Sequence, residues 1–159
     1  MALETIHLPQ SLLLLLLLLL SLLLPPGVCD IYGKETRIQR FWRFHVDNPK
    51  SLIPGGNTKY CTVMIRRRQI SERGKCKREN TFIHAMAGAI LDVCKAQSVK
   101  ACKVGRKNCH TSDHSFKQTL CVLQGFGYYP NCAYVSFPKF KKISLACTGL
   151  PRVPVYVDP

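Results

Sequence analysis

Apolar and polar positions along the chain fall into three regimes. Ser11 to Leu24 is almost unbroken leucine and stops at Pro25, Pro26 and Gly27. After it the apolar positions take up helical spacing. Ile38, Phe41, Trp42 and His45 stand at i, i+3, i+4 and i+7 and predict a helix over 35–46, with Glu35 at the end that favours an acidic group. Asp47-Asn48-Pro49 ends it, and Pro54-Gly55-Gly56-Asn57 reads as loop. A second helix is predicted over 60–70, with Tyr60, Val63, Met64 and Arg67 along one side, and a short third one over 86–94. Between them, Cys76 to His84 carries the β-favouring run Thr81-Phe82-Ile83, and alternation puts Lys77, Glu79, Thr81 and Ile83 on one face. From Val99 onward short β-favouring runs alternate with turns: 99–103, 107–111, 116–124, 132–137, 142–147 and 152–157, with Pro138-Lys139 read as one of the turns. Helices first and strands after is an α+β order.

The leucine run has the length of a signal-peptide core and is short for a membrane-spanning helix. Cleavage after Cys29 would leave Gly27 and Cys29 at the small-residue positions, so residues 1–29 read as a cleaved signal peptide and 30–159 as one domain. The chain is then secreted and extracellular, with no integral membrane segment, and is expected to be a monomer. Nine cysteines become eight when Cys29 is removed, an even number suited to four disulfides in an oxidising compartment. No C-x-x-C pair is present, so a metal site is not expected, and no cofactor motif stands out. The formal net charge is +14, and losing residues 1–29 would raise it by one, because they hold Glu4 and no basic residue. Such a balance attracts polyanions: RNA, other nucleic acids, anionic glycans or anionic membranes. Arg66-Arg67-Arg68 is either an ordinary solvated face or part of an anion-binding surface.

The order of a helix bearing His45, then Cys61, then Cys76-Lys77-x-x-Asn80-Thr81-Phe82, then six further cysteines resembles the pancreatic ribonuclease (ribonuclease A) superfamily. Tyr129-Pro130-Asn131-Cys132-Ala133-Tyr134, Ala146-Cys147-x-Gly149 and the ending Val153-Pro154-Val155-x-x-Asp158 carry the same resemblance. It covers about Lys34 to Asp158. It implies three helices on a V-shaped antiparallel sheet with a cleft for RNA. Of the many pairings that eight cysteines allow, it implies Cys61–Cys121, Cys76–Cys132, Cys94–Cys147 and Cys102–Cys109.

The family's reaction is phosphoryl transfer within RNA, in which a 2′-hydroxyl attacks the adjacent phosphorus and the 5′-oxygen leaves. It needs a base, an acid and a cation for the charge that develops on phosphorus. By resemblance His45 is the base and Lys77 the cation. Thr81 is the pyrimidine-binding residue, Asn108 a contact to the next base, and Lys103 a flanking phosphate site. The general-acid position holds Tyr156, where the family motif V-P-V-H-F-D has histidine. Phe44 stands where the family has a phosphate-contacting glutamine, and Thr148 where it has a glutamate. A phenol, with a pKa near 10, suits proton exchange at neutral pH poorly. The implied function is therefore a cationic RNA- or polyanion-binding protein with an incomplete site and weak or no ribonuclease activity. The alternatives are an active, pyrimidine-preferring endoribonuclease, and a host-defence protein acting on microbial membranes.

Overall fold

The computed structural model describes residues 9–23, 34–96, 99–103, 105 and 107–159. They divide into two compact units, Met1–Glu35 and Thr36–Pro159. In the first, the leucine run forms helix α1 (Gln10–Leu23). Among the described residues no helix is long and apolar enough to cross a membrane. Cys29 and the cleavage point expected after it lie outside the described residues.

The second unit begins with α2 (Arg37–His45). The helix starts two residues later than the periodicity suggests, because Thr36 caps it. The Thr36 hydroxyl accepts from the Gln39 amide at 3.2 Å, and the Gln39 side chain accepts from the Thr36 amide at 2.9 Å. This reciprocal capping box takes the role expected of Glu35, which stays outside the helix. Next comes α3 (Gly56–Arg67), which starts four residues before the predicted helix. Its buried stripe is Tyr60, Cys61, Met64 and Ile65, and Arg66 and Arg67 at its end are exposed. Strand β1 (Glu79–Ile83) and α4 (Ala87–Val93) follow. The remaining strands are β2 (Val99–Lys100), β3 (Cys109–Thr111), β4 (Phe116–Leu123), β5 (Tyr134–Lys141), β6 (Ser144–Thr148) and β7 (Val153–Asp158).

The strands form two antiparallel sheets, ordered β1-β4-β5 and β2-β3-β6-β7. Pro138 and Lys139, read as a turn from sequence, lie inside β5, with Pro138 opposite Thr119. β5 is an edge strand, where a residue without an N–H is tolerated because one row of backbone groups has no neighbour to serve. The connection to β6 is instead Lys142-Ile143.

Two buried clusters fill the unit. One joins Phe44, Tyr60, Met64, Ile65, Ile70, Phe82 and Tyr134; the other joins Phe41, Ile83, Ile90, Val93, Phe116, Ile143 and Leu145. Helix α2 and strand β1 each give one residue to either cluster, so they lie along the seam. Disulfides staple the periphery to this core: Cys61–Cys121 joins α3 to β4, and Cys94–Cys147 joins the end of α4 to β6. Cys76–Cys132 joins the segments that lead into β1 and β5, and Cys102–Cys109 closes the loop before β3. Each bridge removes freedom chiefly from the unfolded chain, by an amount of about 2–4 kcal/mol.

Asp47, just past α2, is the main buried charge. It is 2% exposed and accepts from the Tyr60 hydroxyl at 2.6 Å and from the Ser51 hydroxyl and amide at 2.7 and 2.9 Å, with the Arg68 guanidinium at 3.4 Å. Burial alone would raise its pKa; the hydrogen bonds from Tyr60 and Ser51 outweigh that and lower it. Asp47→Ala should therefore cost about 3 kcal/mol or more, because several donors lose their shared acceptor. Tyr60→Phe should cost about 1–3 kcal/mol. Urea denaturation of both variants checks the order, and equal midpoints for Asp47→Ala and the natural protein would refute this account of the cluster.

Candidate active-site cleft

His45 is the last residue of α2 and is 7% exposed. Its Nδ1 lies 2.9 Å from the Thr81 carbonyl oxygen on β1. A carbonyl can only accept, so Nδ1 carries the proton, and in the neutral ring Nε2 is left as the basic nitrogen. Burial, then the Lys77 charge, lowers the His45 pKa to about 3, and the Thr81 hydrogen bond raises it only in part. The ring is thus neutral and correctly tautomerised for accepting a proton at pH 7. Its basicity, however, is far below that of an imidazole in water, and general-base efficiency falls with it.

Lys77 precedes β1. Its Nζ donates to the Asn80 Oδ1 at 2.8 Å, and the Asn80 amide in turn donates to the Phe44 carbonyl at 2.8 Å. That carbonyl belongs to the last turn of α2, where the helix's own amides run out. The Tyr134 hydroxyl holds the Lys77 carbonyl at 2.7 Å. Burial, with help from nearby Arg40 and against the pull of Glu72, lowers the Lys77 pKa to about 8. Lys77 therefore remains mostly cationic at neutral pH.

Phe44 fills the space between these groups. The Arg40 and Arg43 guanidinium carbons each lie 4.7 Å from its ring centroid, and the Lys77 Nζ lies 5.6 Å from it. Arg40 is four residues before Phe44, so helical geometry alone brings them together. Arg43 also donates to the Arg68 and Gln69 carbonyls, which ties α2 to the end of α3. Reading the sequence alone gives Arg40 and Arg43 no role, and gives Asn80 only a place in the family motif. The i, i+4 spacing of Arg40 and Phe44 is the available signal for one of them.

Two cavities meet at these residues. One, of about 200 Å³, is lined by Arg40, Phe44, His45, Glu72, Lys77 and Tyr156 among others. The other, of about 420 Å³, has His45, Lys77, Thr81, Leu120, Lys141 and Tyr156 in its wall. Tyr156, on β7 opposite Ala146, sits beside a register shift in the β6–β7 ladder and packs against the cluster of Cys102, Cys109 and Ala146. His45, Lys77, Thr81 and Tyr156 are thus brought together from α2, β1, β7 and the segment before β1. Lys103 and Asn108 line neither cavity. The Lys103 amide donates to the Asp158 carboxylate at 2.9 Å, and the Asn108 side chain donates to the Cys147 carbonyl at 2.6 Å. Among the described residues, the other histidines, His84, His110 and His114, line neither of these cavities. His84 bridges the Asp47 carbonyl and the Thr119 hydroxyl, each at 2.8 Å, His110 holds the Ala96 carbonyl, and His114 packs on Phe116.

A disulfide-stapled α+β unit whose cleft presents a neutral histidine, a lysine and a row of further cations is a nuclease-like scaffold. The pancreatic ribonuclease family profile matches residues 36–158. The chain is 43% identical over 126 residues to a pancreatic ribonuclease of Lagothrix lagotricha, covering 79% of this chain and 78% of that protein. Its fold is similar to the crystal structure of green turtle egg white ribonuclease, with a TM-score of 0.67 and 37% identity over 79% of this chain and 98% of the turtle chain. The chain belongs to the pancreatic ribonuclease family.

The sign of the His45 effect on stability follows from its lowered pKa. The unfolded chain takes up a proton at His45 below about 6.5, and the folded chain does not until about 3. The stability carried by neutral His45 is full above the upper value and is lost as the pH falls towards the lower one. His84, its pKa also lowered by burial, acts in the same direction. The His45 imidazole resonances should accordingly stay flat from about pH 8 to about pH 4 in an NMR titration. A midpoint near the ordinary histidine value would contradict this account of the buried ring.

Proposed function

We propose that this protein is a secreted, cationic ribonuclease-family protein that binds RNA or other polyanions and has weak or no ribonuclease activity. Residues 1–29 act as its signal peptide, residues 30–159 are its functional domain, and it works as a monomer. The observation that carries the reading is Tyr156 in the wall of both cavities, beside His45 and Lys77. RNA bound across the cleft would have its phosphate near Lys77 and a base against Thr81. The leaving 5′-oxygen would then face a phenol. A phenol gives up its proton reluctantly and offers no ready base for the return step.

Two further features weaken turnover. The low basicity of His45 reduces the pull on the 2′-hydroxyl. Phe44 supplies an aromatic ring where the family has a glutamine side chain, so one polar contact to the phosphate is lost, while Arg40, Arg43 and Lys77 gather around that ring. Cations are thus retained where a phosphate would sit, and proton transfer is poorly served. That combination suits binding better than cleavage.

Cleavage of a pyrimidine-containing dinucleotide tests the reading. Tyr156→His should cleave at least about 10²-fold faster than the natural protein, the scale of a positioned general acid. Phe44→Gln added to it should increase the rate further. A natural protein as fast as Tyr156→His would overturn the impaired reading. Binding of a non-cleavable single-stranded oligonucleotide should weaken steeply with salt, by about 0.7 in the logarithm of affinity per phosphate contact and tenfold change of salt. A flat dependence would overturn polyanion recognition.

A further inference from the structure

The smaller of the two cleft cavities has a single acid among its described lining residues, Glu72. Arg40 and Lys77 are the cations of the same wall, which also holds His45 and Tyr156. The adjoining cavity adds Arg78, Lys141 and a second acid, Glu79. Glu72 is the acid whose charge is felt at Lys77. It opposes the fall in the Lys77 pKa that burial produces, with Arg40 in support. Glu72 is itself exposed, so water weakens this attraction without abolishing it.

The backbone fixes the place of Glu72. Its amide donates to the Lys75 carbonyl and the Lys75 amide donates to the Glu72 carbonyl, each at 3.0 Å. Arg73 and Gly74 between them have φ of 52° and 77°, the left-handed pair that closes a two-residue hairpin. The hairpin is clamped on both sides. Buried Ile70 anchors its entry, and its exit leads into Cys76, which is bonded to Cys132. The Tyr129 amide also donates to the Gly74 carbonyl at 3.1 Å. Glu72 can therefore turn its side chain but cannot carry its charge far from the cavity.

A fixed negative charge beside a phosphate pocket acts in proportion to the charge of the ligand. An internal phosphodiester carries a single negative charge, and a terminal phosphate monoester carries nearly two at pH 7. Lys77 and Arg40 alone would favour the monoester for that reason. Repulsion from Glu72 costs the monoester about twice what it costs the diester. We infer that Glu72 is a specificity residue of the cleft: it offsets the pull of Lys77 and Arg40 on dianions, and so favours the internal phosphodiester of a polynucleotide over terminal phosphate groups. The inference rests on the polyanion-binding reading and narrows its ligand class.

The test titrates the full disulfide-bonded chain and Glu72→Gln at pH 7, by calorimetry, with thymidine 3′-monophosphate and with thymidylyl-3′,5′-thymidine. Neither ligand has the attacking 2′-hydroxyl. Glu72→Gln should bind the dinucleotide about fourfold tighter and the monophosphate about fifteenfold tighter, close to the square, as expected of one carboxylate acting across a partly wet cleft. Asp92→Asn removes an exposed acid paired with Lys95 and changes the net charge equally. It should leave both affinities unchanged. The Lys77 side chain, followed by NMR, should titrate lower in Glu72→Gln than its value of about 8 in the natural protein. If the natural protein binds both ligands and Glu72→Gln gains nothing, or gains equally on both, the Glu72 inference fails and the polyanion reading stands. An equal gain in Asp92→Asn, or an unmoved Lys77 titration, would overturn the inference in the same way. If neither the natural protein nor Glu72→Gln binds either ligand, both readings fail.

Discussion

The cleft hangs from a short set of hydrogen bonds between the end of α2 and strand β1. A helix end leaves carbonyls without partners, and a buried strand has polar groups to place. Here the two needs meet. The Asn80 side chain satisfies the Phe44 carbonyl, the Thr81 carbonyl takes the His45 Nδ1–H, and the Asp47 amide donates to the Ile83 carbonyl at 3.0 Å. Because α2 and β1 each supply residues to both buried clusters, these bonds also join the two halves of the core. Any shift of the helix along the strand would break them together and uncover Phe41 and Phe44.

The same seam sets the chemistry. Pinning His45 to Thr81 gives the ring its useful tautomer, and the burial that accompanies it removes most of its basicity. Asn80 both anchors the helix end and aims Lys77, so structural support and cation placement share one side chain. Phe44 adds a large apolar surface to the core and a ring for three cations to gather around. Packing, positioning and charge are thus carried by the same few residues, and a change to one reaches the others.

Much of the fold is legible in the sequence because its signals are local. The spacing of Ile38, Phe41, Trp42 and His45 follows from helical geometry, and the run Thr81-Phe82-Ile83 follows from β preference. Where sequence and structure differ, the deciding fact is mostly distant in the chain. Pro138-Lys139 looks like a turn until β5 is known to be an edge strand. The helix start at Arg37 is the exception, a local matter whose signal lies in the capping box of Thr36 and Gln39.

The sequence by itself determined the family, through motifs around Cys76, Cys132 and Cys147, and the identity of the residue at position 156. It also determined the excess of positive charge, which depends on composition alone. Only the tertiary structure decided that His45 is buried and weakly basic, that Lys77 is held through Asn80 to the end of α2, and that Lys103 and Asn108 line neither cleft cavity. The reason is physical: residue type and spacing act over one or two turns of chain, whereas burial, electrostatic coupling and the joining of cavities depend on segments that meet only after folding.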